Sequence, residues 1–544
     1  MQIASSSFEL SFRINLRGQG FAQITFPRAM AYARLLNLRM RLILSLLLLA
    51  VLGPALVIGE PTRRVDGYKG IWFTLGQFFG EGTNGQPYAP ASRKPVFPYG
   101  DKYSGGLGTY TAKHTPLAIY CPEVGKTFFV YGGTVNSEKR HLLCMVSYYD
   151  HSRGMLPRPV VVHDKNGVDG PHDNPSLSVD AEGHLWVFVS GRGAVRPGFK
   201  YRSREPYSID GFERVSEEEF TYPQPHYLEG KGFLHLFTRY TGRRELYWER
   251  SEGGRSWTPD RKLAGIRSPG DQQGGHYQTS ATADGVTGTF FNRHPRNGHV
   301  DYRTDLYYVQ TRDMGETWTT VDGRVLETPL TEVEYPSRVV NYHALGLNVY
   351  LKDMGFDREG HPVLLYVTSP GAEPGPPNDP RHFRIIRWDG MKWVSRAICR
   401  TDHNYDMGSL YLGDDCWRVI IPSSSGPQPY HGGGEMSLWE SFDQGTSWQL
   451  VRQMTSQSPR NHNYARRPLR ARDPFYAFWA DGDPTRLSES HLYFTDSTAE
   501  RIWRLPYVMD GEWAKPIWVD GGDSERAKDV ETPKSNVQAT RVQP

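Results

Sequence analysis

A histidine recurs seven times along this chain, each time just ahead of or within a strand-like apolar or aromatic run. The sites are KHTPLAIY (His114), PHDNPSLSV (His172), PHYLEG (His226), GHYQTSAT (His276), YHALGLNVYL (His343), DHNYDMGSLYL (His403) and NHNYARRP (His462). The gaps are 58, 54, 50, 67, 60 and 59 residues, an average of 58. Each interval also carries alternating apolar segments such as HLWVFVSG, HPVLLYVTS and FYAFWADG, which read as strands. A repeat of this length holding a few short strands is a propeller blade, since one blade cannot bury its own faces and stacked neighbours can. The expectation is an all-β, seven-bladed β-propeller. Composition agrees: aromatic residues make up 13% of the chain, and 56 Gly and 39 Pro supply tight turns rather than long helices.

Two hairpins punctuate the repeat, Thr311-Arg312-Asp313-Met314-Gly315-Glu316-Thr317-Trp318 and Ser441-Phe442-Asp443-Gln444-Gly445-Thr446-Ser447-Trp448. Both match the Asp box, in which Asp and Gly shape a turn and Trp packs between blades. Ser251 to Trp257 is a degraded copy. Asp313 and Asp443 are therefore read as structural. The repeat defines a propeller over residues 67–515, followed by a polar tail over 516–544 whose composition cannot build a core. Residues 40–59, MRLILSLLLLAVLGPALVIG, read as a signal peptide, with Gly53-Pro54 breaking the apolar run and Val57 and Gly59 as cleavage-site residues. Residues 1–39 are then an upstream segment, and Met40 is the expected start. The mature protein is expected to be secreted or periplasmic, with no membrane span after cleavage, and monomeric. Disulfides are permitted for Cys121 with Cys144 and Cys399 with Cys416, but spacing does not require them.

With 63 Lys plus Arg against 60 Asp plus Glu, the formal charge is +3, so the chain lacks the basic surface of a nucleic-acid binder. Innermost strands line a propeller's channel, and residues that precede them at equivalent places converge on one mouth. The histidines thus form a candidate ring, with His114, His172, His276 and His403 as candidate acid/base groups. Their companions are of the kind that reads a sugar: the amides of Asn174, Gln278 and Asn404, the rings of Tyr277, Tyr405 and Tyr464, and the cations Arg192 and Arg466 for a carboxylate. Arg239, Arg243 and Arg244 lie in another strand-end loop, and Glu435, after three glycines, is a secondary candidate. Imidazoles on convergent strands also leave open a divalent metal in the central channel, although no HExxH-like spacing supports it.

Several longer strings carry a resemblance: GYKGIWFTLGQ (67–77), YGDKYSGGLGTYTAKH (99–114), PHDNPS (171–176), NYDMGSLY (404–411) and GPQPYHGGGE (426–435). With the Asp boxes, they make the chain resemble the BNR-repeat propellers that include ulvan lyases, α-L-rhamnosidases and L-rhamnosyl-glucuronate lyases. It lacks the Phe/Tyr-Arg-Ile-Pro motif of sialidases. In the rhamnosidase-like branch a histidine near the start of the first blade is catalytic, and the resemblance assigns that role to His114.

Three functions follow as expectations. The first is β-elimination at a rhamnose–glucuronate linkage of an oligo- or polysaccharide. The second is hydrolysis as an α-L-rhamnosidase in the same pocket, and the third is glycan binding without catalysis. A hydrolase ordinarily needs two carboxylates about 5–9.5 Å apart. The candidate ring is rich in histidine and poor in acids, which favours elimination.

Overall fold

The computed structural model describes residues 11–15, 21–25, 63–74, 104–106, 108–136, 141–168, 170–241, 243–268, 275–295, 301–485 and 488–519. The segment 40–59, expected to be a signal peptide, and the tail from 520 lie outside them. The chain divides into two compact units, 1–61 and 62–544. In the first, strands Ser11–Asn15 and Phe21–Thr25 pair antiparallel. Among the described residues no helix is long and apolar enough to cross a membrane.

The second unit is a seven-bladed propeller, as the repeat predicts. The inner strands are Ala118–Cys121, Pro175–Val179, Thr221–Leu228, Gln278–Ala283, Asn348–Phe356, Ser409–Leu412 and Asn461–Arg466, numbered here as blades 1 to 7. Each continues outward through antiparallel strands in sequence order. Several second and third strands are dry throughout; Leu185–Val189, Pro362–Ser369, Leu143–Asp150 and Thr304–Thr311 are buried along their whole length. Such runs cannot be half-exposed, so blades stack face to face. The last blade reaches Ile517–Val519, which pairs with Ile502–Arg504, so ordered strand extends into the stretch that composition reads as tail.

The Asp-box hairpins join third strands to outer strands in blades 4 and 6, and the degraded copy does so in blade 3. Asp313 Oδ1 accepts from the Thr317 N–H at 2.8 Å, and Asp443 Oδ1 accepts from the Ser447 N–H at 2.9 Å. The glycines do more than turn the chain. Gly254 and Gly315 have φ of +76° and +86°, and a Cβ on either would come within 2.4 and 2.9 Å of the rings of Trp186 and Trp248 in the preceding blade. Trp318 is itself buried, with its ring 6.3 Å from that of Trp248. The motif thus locks neighbouring blades. All four cysteines are free thiols.

Replacing Asp443 with Ala is expected to cost about 1 kcal/mol, as for a lost exposed turn contact, and to leave turnover of the folded protein intact. Gly315→Ala should cost more, because it adds a left-handed backbone penalty to a clash with Trp248. Denaturant unfolding of the two variants side by side checks the order.

Candidate functional site

The seven inner strands converge at their starts on a narrow mouth. Three of them reach it irregularly. Blade 3 shifts register between Thr221 and Gln224, blade 5 between Leu351 and Asp353, and blade 7 between Asn463 and Arg466. A bulge re-aims the side chain it frees, and the residues released here, Tyr222, Lys352 and Tyr464, all line the mouth. Tyr222 and Tyr464 hold φ of +57° and +58°, a region that bulky residues avoid unless the surrounding fold imposes it. Blade 1 contributes Tyr110 and Lys113 from the loop before its inner strand, and blade 2 contributes His172 from the turn Pro171–Asp173. Tyr277, Arg303 and Tyr405 complete the wall around a space of about 30 Å³, enough for a water but not for a sugar.

The rings form a continuous surface. His172 meets Tyr110 edge-on at 5.3 Å and Tyr222 at 5.9 Å; Tyr222 meets Tyr277 at 5.6 Å; Tyr277 meets His294 at 5.0 Å. The Tyr110 hydroxyl faces His172 Nε2 at 3.5 Å. Tyr277 is clamped by cations: Arg244 Nη1 donates to its hydroxyl at 2.5 Å, and the Arg303 guanidinium carbon stands 4.3 Å from its ring centre. Arg303 also bonds the Tyr405 hydroxyl and Asp301.

These neighbours divide the titrating groups. Burial pushes the Tyr277 phenol up, but Arg244 and then Arg303 outweigh it and hold the group below its ordinary value of ten. Burial, reinforced by Tyr277, holds the Tyr222 phenol well above ten, so it stays protonated. Burial and Arg192 keep the His172 imidazole neutral at pH 7. Burial also brings the Lys352 ammonium down to about 7, although Asp406 opposes the shift. The mouth therefore offers a base with a lowered pKa, a protonated phenol, a neutral imidazole and a set of guanidinium groups. Among the described residues that line it there is no carboxylate.

The expected ring of seven equivalent histidines does not form. His343 is exposed, and His226 lies inside its strand and lines a cavity at the opposite end of the channel. His276 is a brace: Nε2 accepts from the Ile266 N–H at 3.0 Å, and Nδ1 donates to the Asn292 carbonyl at 2.8 Å. His114 is another, its Nδ1 accepting from the Thr111 N–H at 3.2 Å and its Nε2 donating to the His172 carbonyl at 3.1 Å. With both nitrogens committed, and with burial holding its pKa at about 3, His114 positions His172 and is not built to exchange protons. His403 Nδ1 accepts from the Tyr405 N–H, and in His462 Nδ1 accepts from Trp479 Nε1. Of the seven, His172 alone lines the mouth.

The companion residues divide in the same way. Tyr277, Tyr405 and Tyr464 line the mouth, and Arg192 acts on His172 and Tyr277 through its charge. Asn174 and Asn404 brace loops, donating to the carbonyls of Tyr110 (2.7 Å) and Gly371 (2.9 Å). Gln278 donates to the Phe237 carbonyl inside the core, and Arg466 is buried against the His114 carbonyl and Met407. Glu435 lies in a separate groove, bonded by Thr455 and Ser458. Tyr110, Tyr222, Arg303, Lys113 and Lys352 are mouth residues that sequence reasoning missed. Tyr110 and Lys113 lie within the string 99–114, which assigns them no role, and no local motif marks Tyr222, Arg303 or Lys352, which reach the mouth through a bulge or a neighbouring strand.

Residues 158–401 match the model of a BNR repeat-containing family. Among curated relatives, an ulvan lyase of Alteromonas sp. (strain LOR) is 23% identical over 316 residues, covering 51% of this chain and 62% of that protein. An ulvan lyase of Nonlabens ulvanivorans is 21% identical over 324 residues, covering 52% and 65%. The match thus spans a little under two thirds of these relatives' length. Among solved structures, the polysaccharide lyase PL25 ulvan lyase bound to -[GlcA(1-4)Rha3S]- superposes with a TM-score of 0.59 at 17% identity, over 72% of this chain and 94% of that one. Polysaccharide lyase Uly1 superposes with a TM-score of 0.52 at 11% identity, over 82% and 99%. The repeat, the blade count and these likenesses agree: the chain is a seven-bladed propeller, similar over part of its length to BNR repeat-containing proteins and to ulvan lyases.

Proposed function

We propose that this protein is a polysaccharide lyase that cleaves a uronic-acid-containing glycan by β-elimination at a rhamnose–glucuronate linkage. The observation that carries the reading is Tyr277, a buried phenol whose pKa is held below ten by neighbouring guanidinium groups, in a mouth whose described lining residues include no carboxylate. Elimination removes the proton on the carbon next to the uronate carboxylate. That proton is acidic only when the charge building on the carboxylate is neutralised. Arg192 and Arg244, half-buried beside the mouth, are the neutralising cations. Tyr277 takes the proton as its phenolate. The electron pair forms the carbon–carbon double bond, the C–O bond to the leaving sugar breaks, and the leaving oxygen takes a proton from Tyr222, which burial keeps protonated. His172, neutral and facing the Tyr110 hydroxyl, is placed to return a proton to the wall. A retaining or inverting hydrolase would need a carboxylate pair at this place. The likeness to a lyase bound to a glucuronate–rhamnose repeat supports the same substrate class.

Incubation with sulfated and unsulfated rhamnose–glucuronate glycans, followed by ultraviolet absorbance, tests the reading. Unsaturated uronate ends should accumulate. Free rhamnose without absorbance would identify a hydrolase, and binding without either product a lectin.

Tyr277→Phe is expected to keep glycan affinity and lose on the order of 10²–10⁴ in turnover, the usual worth of a general base. The sign of the pH dependence follows from the phenolate requirement. Turnover should rise as pH passes upward through the Tyr277 pKa, which lies below ten. Arg244→Gln removes the largest of the arginine effects, so the rising limb should move to higher pH. A limb that stays in place would assign the base elsewhere.

His114→Ala separates positioning from catalysis. It leaves the Thr111 N–H and the His172 carbonyl without their buried partner, at a cost of roughly 1–3 kcal/mol for each. Melting temperature and turnover should therefore fall together. An unchanged melting temperature with lost turnover would restore His114 as the acid/base.

A further inference from the structure

Among the described residues, two clusters bring three His, Asp or Glu side chains within reach of one point. The first, Glu218, Glu249 and Asp260, already surrounds cations. Lys200 Nζ lies 2.6 Å from Glu218 and 2.7 Å from Glu249, and Arg239 lies 2.5 Å from Asp260. Its charge is neutralised from within.

In the second cluster the one Arg or Lys contact among the described residues is peripheral: Arg358 Nε lies 3.9 Å from Glu359 Oε1, the oxygen turned away from His361. Asp357, Glu359 and His361 stand on the tight turn that joins the inner strand of blade 5, Asn348–Phe356, to the next strand, Pro362–Ser369. Asp357 Oδ1 accepts from the backbone N–H groups of Glu359 (3.0 Å) and His361 (2.8 Å), which fixes where its second oxygen points. The Asp357 side chain is only 3% exposed, yet Oδ2 has no hydrogen-bond partner, and neither has His361 Nδ1, 3.8 Å away. A buried carboxylate oxygen left in this state is costly. An unbonded carboxylate oxygen and an unbonded imidazole nitrogen, with a Glu359 oxygen 3.5 Å from that nitrogen, are together a ligand set that a cation can share.

We propose that the turn Asp357–His361 binds one divalent metal ion of the borderline class, such as zinc, through Asp357 Oδ2, a Glu359 carboxylate oxygen and His361 Nδ1. Atoms bound to one zinc at about 2.0–2.2 Å sit about 3.3–3.6 Å apart in a tetrahedron. The three atoms here lie within 4.8 Å of one another, and the half-exposed Glu359 can rotate to close the remainder. An imidazole with two carboxylates suits zinc better than calcium, which takes oxygen ligands. The turn follows Phe356, which lines the cavity of about 640 Å³ at the end of the channel opposite the mouth. The ion therefore clips the inner hairpin of blade 5 and takes no part in turnover.

The test uses the full chain, stripped with a chelator and titrated with zinc chloride by calorimetry, with calcium chloride as comparator. One equivalent of zinc should bind at least tenfold more tightly than calcium, and melting temperature should rise with zinc concentration. Affinity should fall at least tenfold in both His361→Ala and Glu359→Gln, whose side chains reach the surface and whose folding is checked by circular dichroism. Turnover on glycan should be the same with and without zinc. Absence of saturable zinc binding, or wild-type affinity in both variants, overturns the proposal.

Discussion

A propeller exists only if its last blade packs against its first. Here that closure is mostly apolar. Phe475 of blade 7 stacks on Phe129 of blade 1 with ring centres 5.3 Å apart, and Phe478 and Phe494 share the same core cluster. Backbone contacts fix the register of the seam: the Leu469 N–H donates to the Ala118 carbonyl at 2.8 Å, and the Tyr120 N–H to the Leu469 carbonyl at 3.0 Å. At the rim, Trp513–Ala514 pairs with Leu156–Pro157, while Arg158 donates to the carbonyls of Met509, Asp510 and Gly511. Opening this seam would expose the faces of two blades at once. It would also dissolve the mouth, whose wall takes residues from blades on both sides of the seam.

Closing a ring of sheets brings seven strand starts, with their unpaired polar groups, into a small volume. Two devices satisfy them. Histidines on the approach to or within inner strands act as two-ended braces, accepting from an N–H with one nitrogen and donating with the other, as His114, His276 and His462 do. Guanidinium groups are sandwiched between phenols; Arg303 lies within 5.0 Å of the ring centres of Tyr277, Tyr350 and Tyr405. Planar, weakly hydrated guanidinium tolerates such burial better than an ammonium does. That difference is visible in Lys113 and Lys352, whose ammonium groups burial pulls down. The lowered pKa of Tyr277 comes from the same packing.

The two ends of the channel have diverged. At the mouth, bulges in blades 3, 5 and 7 turn side chains inward and shrink the space until rings and cations touch. At the opposite end the strands run straight, Pro225, Phe356 and Leu412 stand back, and a cavity of about 640 Å³ remains. Irregular backbone is concentrated where chemistry is, and regular backbone where only the fold needs support.

The sequence by itself determined the number of blades, because a blade is a local unit whose strands and turns are written within about 58 residues. It determined the Asp-box hairpins for the same reason: Asp313 and Gly315 act on neighbours two to four residues away. It also singled out Tyr277, Tyr405, Tyr464, Arg192 and His172, which reach or act on the mouth from positions beside inner strands. It misjudged the histidine ring. A brace and an acid/base group look alike in sequence, and only the partners of both ring nitrogens tell them apart. Tyr222, Arg303 and Lys352 were beyond its reach. Their place depends on bulges and on strands from different blades, and the Tyr277 pKa is lowered only because Arg244, 33 residues earlier, and Arg303, in the third strand's approach, close on it in three dimensions. Local interactions fix the blades; the site arises from contacts between blades, which exist only once the ring is closed.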